Sequence, residues 1–292
     1  MRKFFFALAA ALFLASCGKQ DASPPKKPLI WVSIAPYQQI AQRLAGKDIE
    51  VETIVPQNSN PHSFEPTSRQ VSQMNRGLVW FRIGEPFEKK LLPLLHSRNP
   101  HLAVLDLRDK IHLLAEEGIS CSHCSMDHRD RHIWMSPKDT QTQAAEMARI
   151  LTEVFPEKKE EISANLDQLL KDLEQLDREI HTILDASKHR TILVSHPAFG
   201  YFCRDYDCRQ LSIEYEGKDP RPKHIEKILS QAMESRTEVA VVLPQYNNKG
   251  AQLIAQKLHI PVRMIDPYSP EYFDTLLNMA RLIASEQGEA AS

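Results

Sequence analysis

The stretch EKKEEISANLDQLLKDLEQLDREIHTILDASK, residues 157–188, decides the reading of the fold. Its apolar residues fall at Ile162, Leu166, Leu169, Leu170, Leu173, Leu176, Ile180, Ile183 and Leu184. That is one stripe at helical spacing. No Gly or Pro interrupts it after Pro156, so it predicts a single helix of about 32 residues, roughly 48 Å long. The heptad match is too short to favour a coiled-coil arm. A stiff linker over 156–189 therefore joins whatever lies on its two sides.

The two sides read alike. Before the linker, LIWVSIAP (29–36), VETIVP (51–56), LVWFRIG (78–84) and LAVLDL (102–107) are short β-rich runs separated by helical stretches. After it, TILVSH (191–196), QLSIEY (210–215), VAVVLP (239–244) and VRMIDP (262–267) repeat the plan. Strands alternating with helices predict mostly parallel sheets with helices on their faces. The expected architecture is α/β in two lobes, 29–155 and 190–292. Each holds a four-stranded sheet, and a cleft separates them.

The chain has 292 residues, 36 Lys+Arg, 38 Asp+Glu and a formal net charge of −2. No basic face is forced, and nucleic acid is not expected as a partner. Only nine glycines are present, with no G-x-G-x-x-G and no G-x-x-x-x-G-K-[ST], which argues against nucleotide-phosphate chemistry. Twelve histidines are the compositional outlier.

Met1-Arg2-Lys3 and the apolar run from Phe4 to Ser16 form a secretory signal too short to span a bilayer. Leu14-Ala15-Ser16-Cys17 resembles a bacterial lipobox. That likeness implies cleavage after residue 16, lipid on Cys17 and attachment to a membrane on the periplasmic or cell-surface side. Residues 17–28 are polar and Pro-rich, as suits a flexible tether. Outside the cytoplasm, Cys203 and Cys208 are near enough in sequence for a local bridge. Cys121 and Cys124 lie in GISCSHCSMDHRDRH (118–132). An exposed polar loop, stapled by a Cys121–Cys124 disulfide or merely solvated, is the favoured reading there; an auxiliary zinc site with His123 and His128 is the alternative.

In open α/β sheets, ligands bind beyond the carboxyl ends of the strands. Such ends here are followed by QNSNPHSFEP (57–66), HPAFGYF (196–202) and Asp266-Pro267, while DRHIWMSP (130–137) precedes the closing helix of the first lobe. Each lobe thus offers two candidate ligands, His62 and His132 on one side, His196 and Asp266 on the other. Three imidazoles and one carboxylate suit a divalent transition ion. The histidines at 96, 101, 112, 181, 189, 224 and 259 read as surface residues, and Trp31 and Trp80 as core. Glu65 is expected to brace the His62 loop from behind.

Four pieces, in order, carry a family resemblance: N-P-H-S-F-E-P at 60–66, D-R-H-I-W-M-S-P at 130–137, S-H-P-A-F-G-Y-F at 195–202, and P-Q-Y-N-N-K at 244–249 with I-D-P at 265–267. Together with the linker helix they make the chain resemble the zinc/manganese-specific (cluster A-I) solute-binding proteins of bacterial ABC importers, over about 29–286. The resemblance implies that His62, His132, His196 and Asp266 ligate the metal. It implies a monomer that captures scarce ions and delivers them to a permease with its ATPase in the inner membrane. Arg131 and Ser136 depart from the family's usual D-P-H-x-W-x-D-P, which predicts a looser His132 loop. Leu243 stands where the family often has Glu. His196 leans the metal to Zn²⁺, with Mn²⁺ and Fe²⁺ as alternatives. A lipid-anchored adhesin is a further alternative. A zinc hydrolase is disfavoured, because four protein ligands close the site and no H-E-x-x-H is present. Since histidine must be neutral to coordinate, affinity is expected to fall steeply below about pH 6.

Overall fold

A computed structural model describes residues 27–115, 129–185, 187–188, 190–214 and 222–289. Cys17 with the signal segment, and the 116–128 segment with Cys121, His123, Cys124 and His128, lie outside the described residues.

The first lobe holds strands β1 (Leu29–Val32), β2 (Glu50–Thr53), β3 (Val79–Arg82) and β4 (Ala103–Asp106), all parallel, in the order β2-β1-β3-β4. The second holds β5 (Thr191–Val194), β6 (Arg209–Ser212), β7 (Ala240–Val242) and β8 (Val262–Met264) in the equivalent order β6-β5-β7-β8, again parallel. The helices are α1 (Pro36–Ala45), α2 (Ser68–Met74), α3 (Pro86–Arg98), α4 (Pro137–Val154), α5 (Lys159–Asp185), α6 (Gly200–Asp205), α7 (Pro222–Glu234), α8 (Lys249–Leu258) and α9 (Tyr272–Glu289). In this strand order the chain reverses direction across the sheet beside β1 and beside β5. The carboxyl ends of those strands open onto the cleft, where ligands of such folds bind.

The linker helix α5 has 27 residues, fewer than its periodicity suggests. It begins two residues later, at Lys159, and ends at Asp185. Pro156 has no N–H to continue a helical ladder, so Pro156–Lys158 form a separate 3₁₀ turn between α4 and α5. The apolar stripe behaves as read: Ile162, Leu169, Leu173, Leu176, Ile180 and Leu184 are buried. Each such side chain contributes roughly 1.5–3 kcal/mol when fully removed from water.

Helix α9 closes the structure by running back from the second lobe to the first. The Tyr272 amide donates to Gln39 Oε1 at 2.9 Å, and its hydroxyl to Thr140 Oγ1 at 2.9 Å. The Arg43 guanidinium lies over the Phe273 ring. One apolar core consequently runs through both lobes. It takes in Ile30 and Val32 of β1, Met147 and Leu151 of α4, Leu173 of α5, Ile192 and Val194 of β5 and Met279 of α9. A second, smaller core lies on the outer face of the second sheet, where Leu193, Leu211, Ala240 and Val242 meet Ile228 of α7 and Ile254 of α8. Among the described residues, no helix is long and apolar enough to cross a membrane.

Candidate metal centre

His62 sits in the turn that follows β2. Its amide donates to Asn60 Oδ1 at 2.9 Å, and the Thr67 capping box at the start of α2 fixes the far end of the loop. His132 precedes a 3₁₀ turn (Ile133–Met135) that leads into α4. Ser136 caps that helix, accepting from the Asp139 amide at 2.9 Å, and Pro137 occupies its first turn. His196 follows β5 by two residues.

These three imidazoles converge. His196 Nε2 lies 3.3 Å from both His62 Nε2 and His132 Nε2. Among the described residues they form a group whose donor atoms all lie within 4.8 Å of one another. Each ring is held from behind by a carboxylate. His62 Nδ1 donates to Glu85 Oε2 at 2.9 Å, His132 Nδ1 to Asp130 Oδ1 at 2.7 Å, and His196 Nδ1 to Glu214 Oε2 at 2.6 Å. An ionised carboxylate has no proton to give, so the proton sits on Nδ1 in all three. In the neutral ring Nε2 is then a bare lone pair. Three lone pairs facing one another repel unless a cation lies between them. The spacing fits one: tetrahedral Zn–N bonds of 2.0–2.1 Å put neighbouring nitrogens about 3.3–3.4 Å apart.

The surrounding charge fits as well. Glu85, Asp130 and Glu214 bring three negative charges. Arg131, whose Nε donates to the Gly84 carbonyl at 2.9 Å, brings one positive. The surplus is negative, as suits a cation. Arg131 and Ser136 also correct an expectation. In place of a looser loop, Arg131 ties the His132 segment to the β3–α3 turn that carries Glu85, and Ser136 donates to Asp205 Oδ2 at 2.5 Å. That turn is itself rigid. The Ile83 and Gly84 amides donate to Glu88 at 3.1 and 2.6 Å, and Gly84 adopts φ 86, where a Cβ would strike the Arg108 guanidinium. Burial pushes the Glu88 carboxyl up to about 7.

The rings titrate differently. Burial alone would lower His62, but the charge and hydrogen bond of Glu85 outweigh it, and its pKa lies above the ordinary value. His196 is held well below that value by burial and by the neighbouring His132 and His62.

Asp266 is not part of the three-ring group. Its Oδ1 accepts from Gln245 Nε2 at 2.8 Å and from the Tyr268 amide at 2.9 Å. The Tyr268 hydroxyl lies 3.0 Å from His132 Nε2 and 3.1 Å from the Tyr246 hydroxyl. The Tyr246 ring stacks on His196 at 3.8 Å. Glu65 does not brace the His62 loop: it is exposed and pairs with Lys90 at 2.5 Å, and Glu85 does the bracing. Cys203 and Cys208 are separate thiols and not a local bridge. Their contact is through the backbone, the Cys208 amide donating to the Cys203 carbonyl at 3.0 Å.

Residues 30–286 match the model of the ZnuA family, described as zinc-uptake complex component A, periplasmic. The chain belongs to this family. A crystal structure of ZnuA is 30% identical, with a TM-score of 0.82, and the match covers 89% of this chain and 99% of that one. A zinc-bound deletion mutant of ZnuA is 30% identical, with a TM-score of 0.81, covering 89% and 97%. A Chlamydia trachomatis relative, named for metal binding, is 28% identical over 92% of this chain and 95% of its own length. The zinc-binding lipoprotein AdcA of Streptococcus pneumoniae is 25% identical over 76% of this chain, which spans 46% of that protein. The ZnuA family consists of solute-binding proteins of metal transport, and it is a periplasmic one.

Proposed function

We propose that this chain captures one zinc ion between its lobes on the Nε2 atoms of His62, His132 and His196, and passes it to an ABC permease and its ATPase. The observation that carries this reading is the carboxylate behind each of the three rings. Three carboxylates hold the protons on Nδ1, so the three Nε2 lone pairs meet at ligand spacing with a charge surplus suited to a cation. Asp266 is the proposed fourth ligand, since it follows β8 on the same side of the cleft. Its carboxylate reaches the ion by giving up Gln245. Neutral nitrogen donors favour zinc over manganese and iron at equal concentration. The lipid on Cys17 keeps the carrier at the membrane, within reach of the permease.

The lobes need little movement. A single core, crossed by α5 and α9, ties them together, so closure is a shift of loops and side chains and not a wide hinge. Ion capture then consists of seating the ion among three nitrogens already placed, and release consists of parting His196 from the other two.

The test is metal retention. The stripped protein is offered equal Zn²⁺, Mn²⁺ and Fe²⁺ under anaerobic, reducing conditions. One zinc per chain, lost in His196→Ala, supports the proposal. Retention of manganese or iron against zinc overturns the metal, and no retained metal overturns the centre.

A further inference from the structure

Tyr268 belongs to none of the family's motif positions quoted above, yet its hydroxyl stands on the metal centre. It lies 3.0 Å from His132 Nε2, whose ring proton is committed to Asp130 on the other side. The imidazole nitrogen therefore accepts and the phenol donates. One lone pair cannot serve both a hydroxyl and an ion.

We infer that Tyr268 is a stopper on this centre: its hydroxyl holds the His132 Nε2 lone pair, and an arriving ion displaces that hydrogen bond onto Tyr246. The inference rests on the three-histidine reading above. Three observations support the exchange. First, the acceptor is in place, the Tyr246 hydroxyl being 3.1 Å from that of Tyr268. Turning the O–H from His132 towards Tyr246 needs rotation about one C–O bond and no movement of the ring. Second, the ring is fixed. The Tyr268 amide donates to Asp266, the Trp134 indole lies 5.3 Å away, and Trp134 Nε1 donates to the Pro267 carbonyl at 2.8 Å. Third, the bond links the lobes, because His132 belongs to the first half of the chain and Tyr268 follows β8 of the second. No proton leaves either group. A competitor already seated on one ligand costs the carrier some affinity. In return, the hydroxyl can reclaim His132 as the ion leaves, which speeds release.

The test compares Tyr268→Phe with the parent protein. Zinc affinity is read by chelator competition, the dissociation rate by stopped-flow transfer to excess chelator, and the His132 ring nitrogens of the metal-free protein by ¹⁵N NMR. Removing one hydrogen bond's worth of competition is expected to tighten zinc and slow its dissociation by about five- to tenfold. It should also move the Nε2 resonance of His132 while leaving Nδ1 in place. Unchanged or weaker zinc binding by a folded Tyr268→Phe protein overturns the stopper. Should that variant fold poorly, Tyr246→Phe keeps the stopper and removes its destination, so zinc binding is expected to weaken; unchanged binding there also overturns the inference. A parent protein that binds no zinc, or a His196→Ala protein that keeps it, would instead overturn the centre itself. The two failures are therefore distinguishable.

Discussion

The two sheets share one strand order, but only the first is embedded. Strands β1 and β3 are buried along almost their whole length, and the core behind them continues through α4, α5 and α9. The second sheet is half embedded. The inner face of β5 joins that common core, while its outer face closes over a small separate core under α7 and α8, and edge strand β8 is exposed along its length. The ligands divide the same way. His62 and His132 belong to the first lobe, and His196 follows β5, whose Ile192 and Val194 join the common core and whose Leu193 joins the outer one. The same chain plan thus gives a fixed jaw and a softer one. His62, with the charge and hydrogen bond of buried Glu85 beside it, titrates above the ordinary value, while burial and the two neighbouring rings hold His196 well below it.

The largest effect should come from removing a ligand on either jaw. Zinc stabilises the native state by mass action, so it should raise the melting temperature of the parent protein. His62→Ala and His196→Ala should each abolish that rise in a thermal scan. A rise retained in one of them would assign the ion to the other jaw alone.

The two cores can be separated next. Leu173→Ala in the common core and Ile254→Ala in the outer core should each cost about 2–5 kcal/mol, read by urea unfolding. Only Leu173→Ala should also weaken zinc binding, because α5 holds both jaws. A matching loss in Ile254→Ala would show that the outer core positions His196.

The carboxylates come third. Glu85→Gln, Asp130→Asn and Glu214→Gln should each weaken zinc about 10–100-fold, as loss of a ring-orienting partner does in metal sites. Glu85, which is fully buried, should matter more than Glu214, whose side chain keeps 19% of its exposure. The reverse order would place the rigid jaw in the second lobe.

The pH dependence is the finest distinction. A proton on His62 competes with the ion, and its raised pKa moves that competition above the ordinary 6.5. Zinc binding should therefore begin to weaken above pH 6.5 as pH falls, earlier than the pH 6 read from the sequence. Glu85→Gln should shift the onset downward. In the metal-free protein the two rings act oppositely on stability. His62, raised, adds stability that is present below pH 6.5 and lost as pH rises through its folded value. His196, lowered, takes stability away as pH falls below 6.5, where the unfolded chain binds the proton. A His196→Gln protein should therefore lose less stability than its parent between pH 7 and 5.

Much of this was legible in the residues. Alternating β and helical runs gave two parallel sheets, and the apolar stripe from Ile162 to Leu184 gave the linker. Looking past the ends of strands found His62 and His196. The bracing residues were missed for a physical reason. Glu85 also follows a strand end, directly after LVWFRIG at 78–84, but nothing in a sequence shows which carboxylate a fold will bury. Glu214 fell inside the run QLSIEY, where β-rich composition hid the fact that the strand ends at Ser212. Nothing in the sequence singles out the roles of Tyr246 and Tyr268, because ring stacking and hydroxyl direction are set only by the packed lobes. Arg131 read as a loss of rigidity because its clamp on the Gly84 carbonyl spans 47 positions of sequence.

The central claim is that three imidazole Nε2 atoms hold the ion. X-ray absorption at the zinc edge of the singly loaded protein tests it most directly. The account predicts three imidazole nitrogens at about 2.0–2.1 Å with one oxygen completing the shell. Sulfur at about 2.3 Å would contradict it, and would move the ion to the Cys121–Cys124 segment.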